Sequence, residues 1–212
     1  FLTAYQDRAY AERYRAAVAR VAAAEQRVHP GSRALEEAVA RHYFAVLAYK
    51  DEYEVARLHT ETGFLESIKR NFGAGARVSF NLSPPLLARR DPATGRPRKY
   101  ELGPWLLPLL RVLAKLKWLR GTKLDPFRFS ADRRLERELL ARYEASLERI
   151  VAELDEARFD LALSLASLPK QVRGFGPVKK AGAMNARAAE QELWEQWRAP
   201  AARTERRRAT AA

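Results

Sequence analysis

The side chains that could bind a metal or act as nucleophiles are few in this chain of 212 residues. Cysteine is absent, which excludes disulfides, cysteine zinc sites, cysteine-ligated iron–sulfur clusters and a cysteine nucleophile. The three histidines, His29, His42 and His59, do not form a close ligand pair such as HxxxH. His42 falls on the predicted apolar face of a helix, where a core histidine is more common than a metal ligand. We therefore predict no metal site in this chain.

Carboxylates and phenols lie side by side at Tyr49, Asp51, Glu52, Tyr53 and Glu54. General acid–base catalysis needs groups that converge on a substrate, and adjacent positions of one helix do not supply that geometry. The sequence also shows no Ser–His–Asp order and no phosphate loop. We therefore predict no catalytic residue here.

The net charge of +13 is the strongest chemical signal, and it is concentrated in three segments. Residues 86–123 hold ten basic residues against Asp91 and Glu101, a net of +8. Residues 170–180 contribute +4, and the stretch from Arg198 onward another +4. A local basic surface attracts an acidic partner in a salt-dependent way. The residues that we predict to contact an anion or an acidic partner are Arg89, Arg90, Arg96, Arg98, Lys99, Arg173, Lys179 and Lys180.

The alternative without a binding function is a solvated loop whose arginines pair with acids of neighbouring helices. Isolated surface charges contribute little to stability, so such a loop needs no partner. The glycine-containing stretch 173–180 precedes a helix, where free backbone N–H groups can bind phosphate. It is neither GxGxxG nor a P-loop, and Pro177 lacks an N–H donor. A flexible connector is therefore the favoured interpretation of this stretch.

The spacing of apolar residues predicts a mainly α fold with long antiparallel helix hairpins. A first helix is expected from near residue 4 to Val28, and His29–Ser32 then breaks the chain. A second helix is expected to run unbroken from Leu35 to Ala56 and to form a hairpin with the first. A short helical segment follows over 64–72.

Two short strands are expected at residues 77–82 and 99–102, because polar and apolar residues alternate there and Asp91–Gly95 between them is turn-forming. The next helix, which runs to Leu119, is apolar on nearly all sides and is predicted to be central and buried.

Three further helices complete the predicted fold. Ser130 is expected to cap a long amphipathic helix, a shorter helix covers about 157–168, and Pro177 opens a last helix that ends near Trp197. Trp194 and Trp197 are expected to fix that last helix to the body.

These elements predict one helical domain over 1–198 and a disordered basic tail over 199–212. The first residue is Phe1, which leads directly into a helix pattern, so we expect a fragment of a longer chain. The longest apolar run, 105–119, contains three basic residues and falls short of a bilayer span. We expect a cytoplasmic protein with no membrane contact.

Five ordered segments carry a resemblance to a known family: 48–58, 84–97, 103–105, 119–127 and 168–176. Together they resemble the C-terminal domain of the long, fused indolepyruvate ferredoxin oxidoreductases, over nearly the whole chain from about Leu2 to Trp197. Five motifs in the same order are much more specific than any one of them.

The resemblance implies a parent enzyme that oxidatively decarboxylates aryl-2-oxoacids to acyl-CoA. The parent would use thiamine diphosphate and coenzyme A and pass electrons through iron–sulfur clusters to ferredoxin, with those cofactors in domains N-terminal to this one. We carry over no catalytic residue and expect no cofactor in this chain. Its expected tasks are packing against other domains or subunits and presentation of residues 86–99 to coenzyme A or ferredoxin.

Two alternatives from other classes stay open. One is a basic helical module that binds nucleic acid, although residues 86–99 contain no aromatic side chain for base stacking before Tyr100. The other is a scaffold that binds no ligand.

Overall fold

The computed structural model describes residues 1–73, 75, 77–82 and 100–199. The chain divides into two compact units. Unit 1 comprises Phe1, residues 3–7 and residues 50–133, and unit 2 comprises Leu2, residues 8–49 and the chain from Arg134 onward. The single domain over 1–198 stays a prediction. Of the predicted tail, only Ala199 is described.

The fold is mainly α, as predicted, with one small antiparallel sheet among the described residues. The two strands are β1 (Phe80–Leu82) and β2 (Tyr100–Leu102). The helices are α1 (Leu2–Tyr5), α2 (Arg8–Val28), α3 (Ala34–Leu47), α4 (Glu52–Thr60), α5 (Phe64–Phe72), α6 (Leu106–Lys115), α7 (Ala131–Glu153), α8 (Phe159–Ser167) and α9 (Gly176–Arg198). Short 3₁₀ helices cover Leu116–Leu119, Glu156–Arg158 and Leu168–Gln171.

In unit 2, α2 and α3 form the predicted antiparallel hairpin. The Tyr10 hydroxyl near the start of α2 donates to the Leu47 carbonyl at the end of α3, at 3.1 Å. One turn later, the Tyr14 hydroxyl donates to the Ala40 carbonyl at 2.9 Å. These contacts step forward along α2 and backward along α3, which confirms the hairpin.

The prediction of one continuous helix from Leu35 to Ala56 is wrong. Helix α3 ends at Leu47, and α4 begins at Glu52 after a break at residues 48–51. The break has a local cause, because the Asp51 side chain accepts a hydrogen bond from the Glu54 amide at 2.7 Å and thereby caps α4. Likewise, the expected start near residue 4 is divided, since α1 ends at Tyr5 and α2 begins at Arg8, just after Asp7.

The buried row of α3 is Leu35, Val39, Tyr43 and Leu47, and each of these residues is at most 1% exposed. His42 lies beside this row and is half-buried, so it is not the core residue that the apolar spacing indicated. Burial lowers its pKa, and the nearby charges of Arg41, Lys170 and Arg173 act in the same direction.

Helices α7, α8 and α9 complete the core of unit 2 around Tyr143, Leu147, Ile150 and Leu165. Ser130, at the end of unit 1, caps α7 as predicted, since its hydroxyl accepts a hydrogen bond from the Arg133 amide at 3.2 Å. Trp197 is 1% exposed, which agrees with its predicted role in fixing α9.

In unit 1, β1 and β2 pair antiparallel with Phe80 opposite Leu102 and Leu82 opposite Tyr100. This pairing confirms the predicted two-stranded element, whereas the predicted turn at Asp91–Gly95 lies outside the described residues. Phe80 packs with Ala56 of α4 and with α6 in the core of this unit.

The prediction that the helix ending at Leu119 is buried on all sides is wrong. Only one face of α6 is buried, with Leu106, Leu110 and Ala114 each at most 5% exposed. The opposite face places Leu109 and Val112 in solvent, at 59% and 56% exposed. A small unit supplies too few layers to cover every side of an apolar helix.

Candidate functional site

Three of the eight predicted anion-binding residues belong to one described site, which is the start of α9 and the surface beside it in unit 2. These are Arg173, Lys179 and Lys180. The other five, Arg89, Arg90, Arg96, Arg98 and Lys99, lie outside the described residues.

Two glycines form the turn that leads into α9. Gly174 and Gly176 have φ of 83° and 55°, in the left-handed region where side chains are disfavoured. Phe175 between them is extended and makes no side-chain cap hydrogen bond. Pro177 occupies the first turn, as the sequence predicts.

A third glycine brings α9 against the preceding 3₁₀ helix. A Cβ at Gly182 would lie 2.5 Å from the Gln171 carbonyl oxygen, a separation that no side chain tolerates. Glycine at this position therefore permits the close approach that places Lys179 and Lys180 on the same side of unit 2 as the 168–172 segment.

The cations at this end of α9 differ in their pairing. Lys179 forms an ion pair with Glu136 of α7, and both side chains are largely buried. The Arg173 guanidinium donates to the Lys170 carbonyl at 2.9 Å. Lys180 is exposed and forms no ion pair with any described residue. Arg173 and Lys180, both exposed and without an ion pair among the described residues, are therefore better placed than Lys179 to meet an external anion.

A cavity of about 210 Å³ opens beside these residues. Its walls come from α3, α7, α9 and the end of α8 with the 3₁₀ helix that follows. The apolar part of the lining includes Val46, Leu135, Leu139, Leu165, Leu168, Val172 and Ala183. The cavity is therefore a mostly apolar space whose lining also carries charged side chains of α7 and α9.

The charged groups that line the cavity are arranged as ion pairs between α7 and α9. Glu190 accepts from Arg142 at 2.7 Å and from the Ser146 hydroxyl at 3.1 Å. Arg187 pairs with Glu138 at 3.2 Å. Since these contacts advance together along both helices, α7 and α9 run parallel at this site.

Sequence reasoning missed a buried ionic network in unit 1. The Arg120 guanidinium donates to both oxygens of Asp51, to the Tyr5 carbonyl at 2.7 Å and to the Gln6 side chain. Its Cζ atom lies 3.8 Å from the centre of the Tyr5 ring. The Arg120 and Asp51 side chains are 6% and 1% exposed, so this charge pair is removed from water.

A second part of the network joins α4 to the loop that follows the 3₁₀ helix Leu116–Leu119. The Tyr53 hydroxyl donates to Asp125 at 3.0 Å, and the Asp125 carboxylate also accepts from the amides of Gly121 and Phe127. Burial, together with the hydrogen bond to Asp125, raises the pKa of the Tyr53 phenol. This phenol therefore remains a neutral donor.

The remaining carboxylates of α4 are also paired. Glu54 forms a two-pronged contact with Arg57 at 2.7 and 2.8 Å, and Glu52 pairs with Arg133 at 2.6 Å. Only the Glu54–Arg57 pair has a sequence signal, because its spacing of three residues places both side chains on one helix face. The partners of Asp51, Glu52 and Tyr53 come from distant segments and cannot be identified from spacing.

The network holds backbone segments in place and offers no reactive group, because its carboxylates and the Tyr53 phenol are used in internal contacts.

Within residues 1–73, 75, 77–82 and 100–199, no group of three or more histidines and carboxylates could hold a metal ion. The described part of the chain contains no helix with both the length and the apolar content that a membrane crossing requires. Binding in this mostly apolar cavity, beside the charged side chains of α7 and α9, is the chemistry that the geometry favours.

Comparison with family models identifies the family of this chain. A family model described as a family of unknown function, DUF6537, matches residues 1–204. No curated protein and no solved structure matches the chain. Since the match covers nearly all of the sequence, the chain belongs to the DUF6537 family.

Proposed function

We propose that this chain is a helical accessory domain of an indolepyruvate-type ferredoxin oxidoreductase, an enzyme that converts aryl-2-oxoacids to acyl-CoA. Thiamine diphosphate and the iron–sulfur clusters belong to other domains of that parent. This chain packs against those domains or against neighbouring subunits.

The observation that carries the proposal is the place that the segments resembling the oxidoreductase family take in the fold. Segments 48–58 and 119–127 supply Asp51, Tyr53, Arg120 and Asp125, the centre of the buried network of unit 1. Segment 168–176 forms the 3₁₀ helix and the glycine turn that leads into α9. The polar side chains of these segments make hydrogen bonds and ion pairs within the fold. This supports the role of a folded accessory domain.

The basic segments support a second task, which is to attract an acidic partner. Lys170, Arg173 and Lys180 are exposed in unit 2, and the 86–99 segment carries five of the eight predicted residues. Coenzyme A and the acidic surface of ferredoxin are the two partners that the resemblance implies.

Charge reversal in the full-length parent enzyme tests this task. One variant carries Arg89→Glu, Arg90→Glu and Arg96→Glu, and a second carries Arg173→Glu and Lys180→Glu. The matched control reverses Lys69 and Arg70, two exposed cations at the end of α5. Steady-state rates are measured at several ionic strengths with coenzyme A or ferredoxin as the varied component.

A raised KM for coenzyme A alone would identify coenzyme A as the partner. A salt-dependent loss of rate with ferredoxin alone would identify ferredoxin. Both variants behaving like the Lys69/Arg70 control would contradict the proposed task.

The parent assignment has its own test, which is the reading frame upstream of Phe1. A continuous frame that encodes a thiamine and iron–sulfur chain is expected. A terminator or an unrelated coding sequence there would overturn the assignment. Retardation of a generic DNA duplex at low salt, lost steeply as salt rises, would instead favour the nucleic-acid alternative.

A further inference from the structure

We propose that the cavity in unit 2 is a binding site for a small organic monoanion, a carboxylate whose apolar body is about one ring in size. This inference rests on the cavity alone and does not depend on the proposed parent enzyme.

The size of the apolar body follows from the volume. A dry cavity of about 150 Å³ lined by aliphatic and aromatic side chains holds a benzene ring in another protein. The cavity here, at about 210 Å³, is larger by roughly the space of a short substituent. It is smaller than the sites of about 300–1,000 Å³ that hold drug-sized ligands, so a nucleotide or a long acyl chain does not fit inside it.

The apolar character of the body follows from the lining. Leucine and valine side chains from α7, α8 and the 168–172 segment form the walls, and Ala183 and Ala186 of α9 leave the space open. The carboxylates that reach the cavity already accept hydrogen bonds from protein donors, as Glu190 does from Arg142 and Ser146. A polar body would find few free partners there, whereas an apolar body loses nothing by leaving water.

The charge of the ligand follows from an imbalance in the same lining. Four cations line the cavity, Arg142, Lys179, Lys180 and Arg187, against the three carboxylates Glu136, Glu138 and Glu190. Each carboxylate is paired with one cation, and Lys180 is the cation left over. A single negative charge on the ligand, held beside Lys180, completes the pairing.

The test compares two ligands of the same shape that differ in charge. The 212-residue chain is titrated with 3-phenylpropanoate and with its neutral amide, 3-phenylpropanamide, by calorimetry and by NMR chemical-shift changes. We expect saturable binding of the carboxylate with a Kd of about 1 mM, as suits a ligand of this size. The amide should bind about three- to fivefold more weakly, the range of an exposed charge pair. Equal affinity for both, or no saturation by either, would overturn the proposal.

Two variants place the ligand in this cavity. Ala183→Met fills the space with a flexible side chain that suits a helix, and it should abolish binding of both ligands. Lys180→Gln should remove the preference for the carboxylate and leave amide binding unchanged. Lys115→Gln, an exposed lysine of α6 in unit 1, is the control and should change neither affinity. Circular dichroism checks that each variant is folded. Unchanged binding in folded Ala183→Met would move the ligand elsewhere and contradict the assignment.

Discussion

The Glu25 carboxylate of α2 accepts a hydrogen bond from the backbone amide of Glu36 in α3, at 2.8 Å. The same carboxylate accepts from the Leu35 amide at 3.0 Å and from the Ser32 hydroxyl at 2.6 Å. Arg33, the residue at the N-cap position of α3, makes no cap hydrogen bond with its side chain. The first turn of α3 is therefore satisfied by a carboxylate from the preceding helix, which ties the hairpin together.

Removing this carboxylate should destabilise the hairpin. Glu25→Ala leaves buried amides without an acceptor, so we expect the free energy of unfolding to fall by about 2–3 kcal/mol. Urea denaturation measures it. Glu12→Ala, which removes an exposed carboxylate paired with Arg15 on the same helix, is the control and should cost less than about 1 kcal/mol. Equal losses in the two variants would contradict the capping role.

The same site should make stability depend on pH. Burial alone would raise the pKa of the Glu25 carboxyl, but hydrogen bonds from Ser32 and from the amides of Ala34, Leu35 and Glu36 outweigh it and hold the pKa below its ordinary value of 4.5. The stabilisation is therefore complete above pH 4.5 and is lost as the pH falls through the lowered pKa.

Glu25→Gln isolates this effect, because glutamine has a similar shape and does not titrate. We expect the stability difference between the wild type and Glu25→Gln to be largest near pH 7 and to shrink on acidification. Urea unfolding at a series of pH values measures the difference. A difference that stays constant down to pH 3 would show that the carboxylate charge is not what holds the helix start.

Breaking the Arg120–Asp51 pair should strongly destabilise unit 1. Arg120→Met leaves the Asp51 carboxylate buried without its partner, at an expected cost of about 3–5 kcal/mol. The double variant Asp51→Asn/Arg120→Met should recover part of that loss, because no charge remains buried. Arg111→Met, at an exposed position of α6, is the control. Thermal unfolding compares them, and a double variant less stable than Arg120→Met would count against an uncompensated charge as the cause.

Gly182 should resist replacement even though it lies inside a helix. Alanine is usually favoured over glycine there by about 1 kcal/mol. In α9, the added Cβ would meet the Gln171 carbonyl oxygen at 2.5 Å, so Gly182→Ala should lower the free energy of unfolding by about 1–3 kcal/mol. Ala181→Gly, at the exposed neighbouring position, calibrates the propensity effect. A stabilised Gly182→Ala would show that α9 does not lie against the 168–172 segment.

Local signals in the sequence predicted several elements well. Phe64–Phe72 is helical with the expected bounds, Ser130 caps α7, and the alternation at Phe80–Leu82 marks a strand. Each of these depends on a few adjacent residues, so the sequence suffices. At Asp51, two local signals competed, because the apolar spacing continued while an aspartate offered a new helix start, and the cap prevailed.

Properties that depend on the packing of distant segments could not be predicted in the same way. Apolar residues on nearly all sides of α6 predict a buried helix, but the exposure of Leu109 depends on how many layers of structure cover that helix. The count of charges by segment singled out Lys180 among other cations. Which cation of the cavity has no ion pair, however, depends on the partners that Glu136, Glu138 and Glu190 find across unit 2. The cavity itself exists only where five elements meet, and no single segment encodes it.

The pairing of Leu82 with Tyr100 has a consequence for engineering. Antiparallel partners lie about 5 Å apart between their Cα atoms, so the sheet holds both attachment points of residues 83–99 at nearly fixed positions. Closing a longer or shorter connection between fixed ends changes the chain entropy only slowly with length. A graft that replaces the sequence between Leu82 and Tyr100 would therefore start and end at defined points of unit 1, and grafts of differing charge would test whether partner binding follows the charge of this segment.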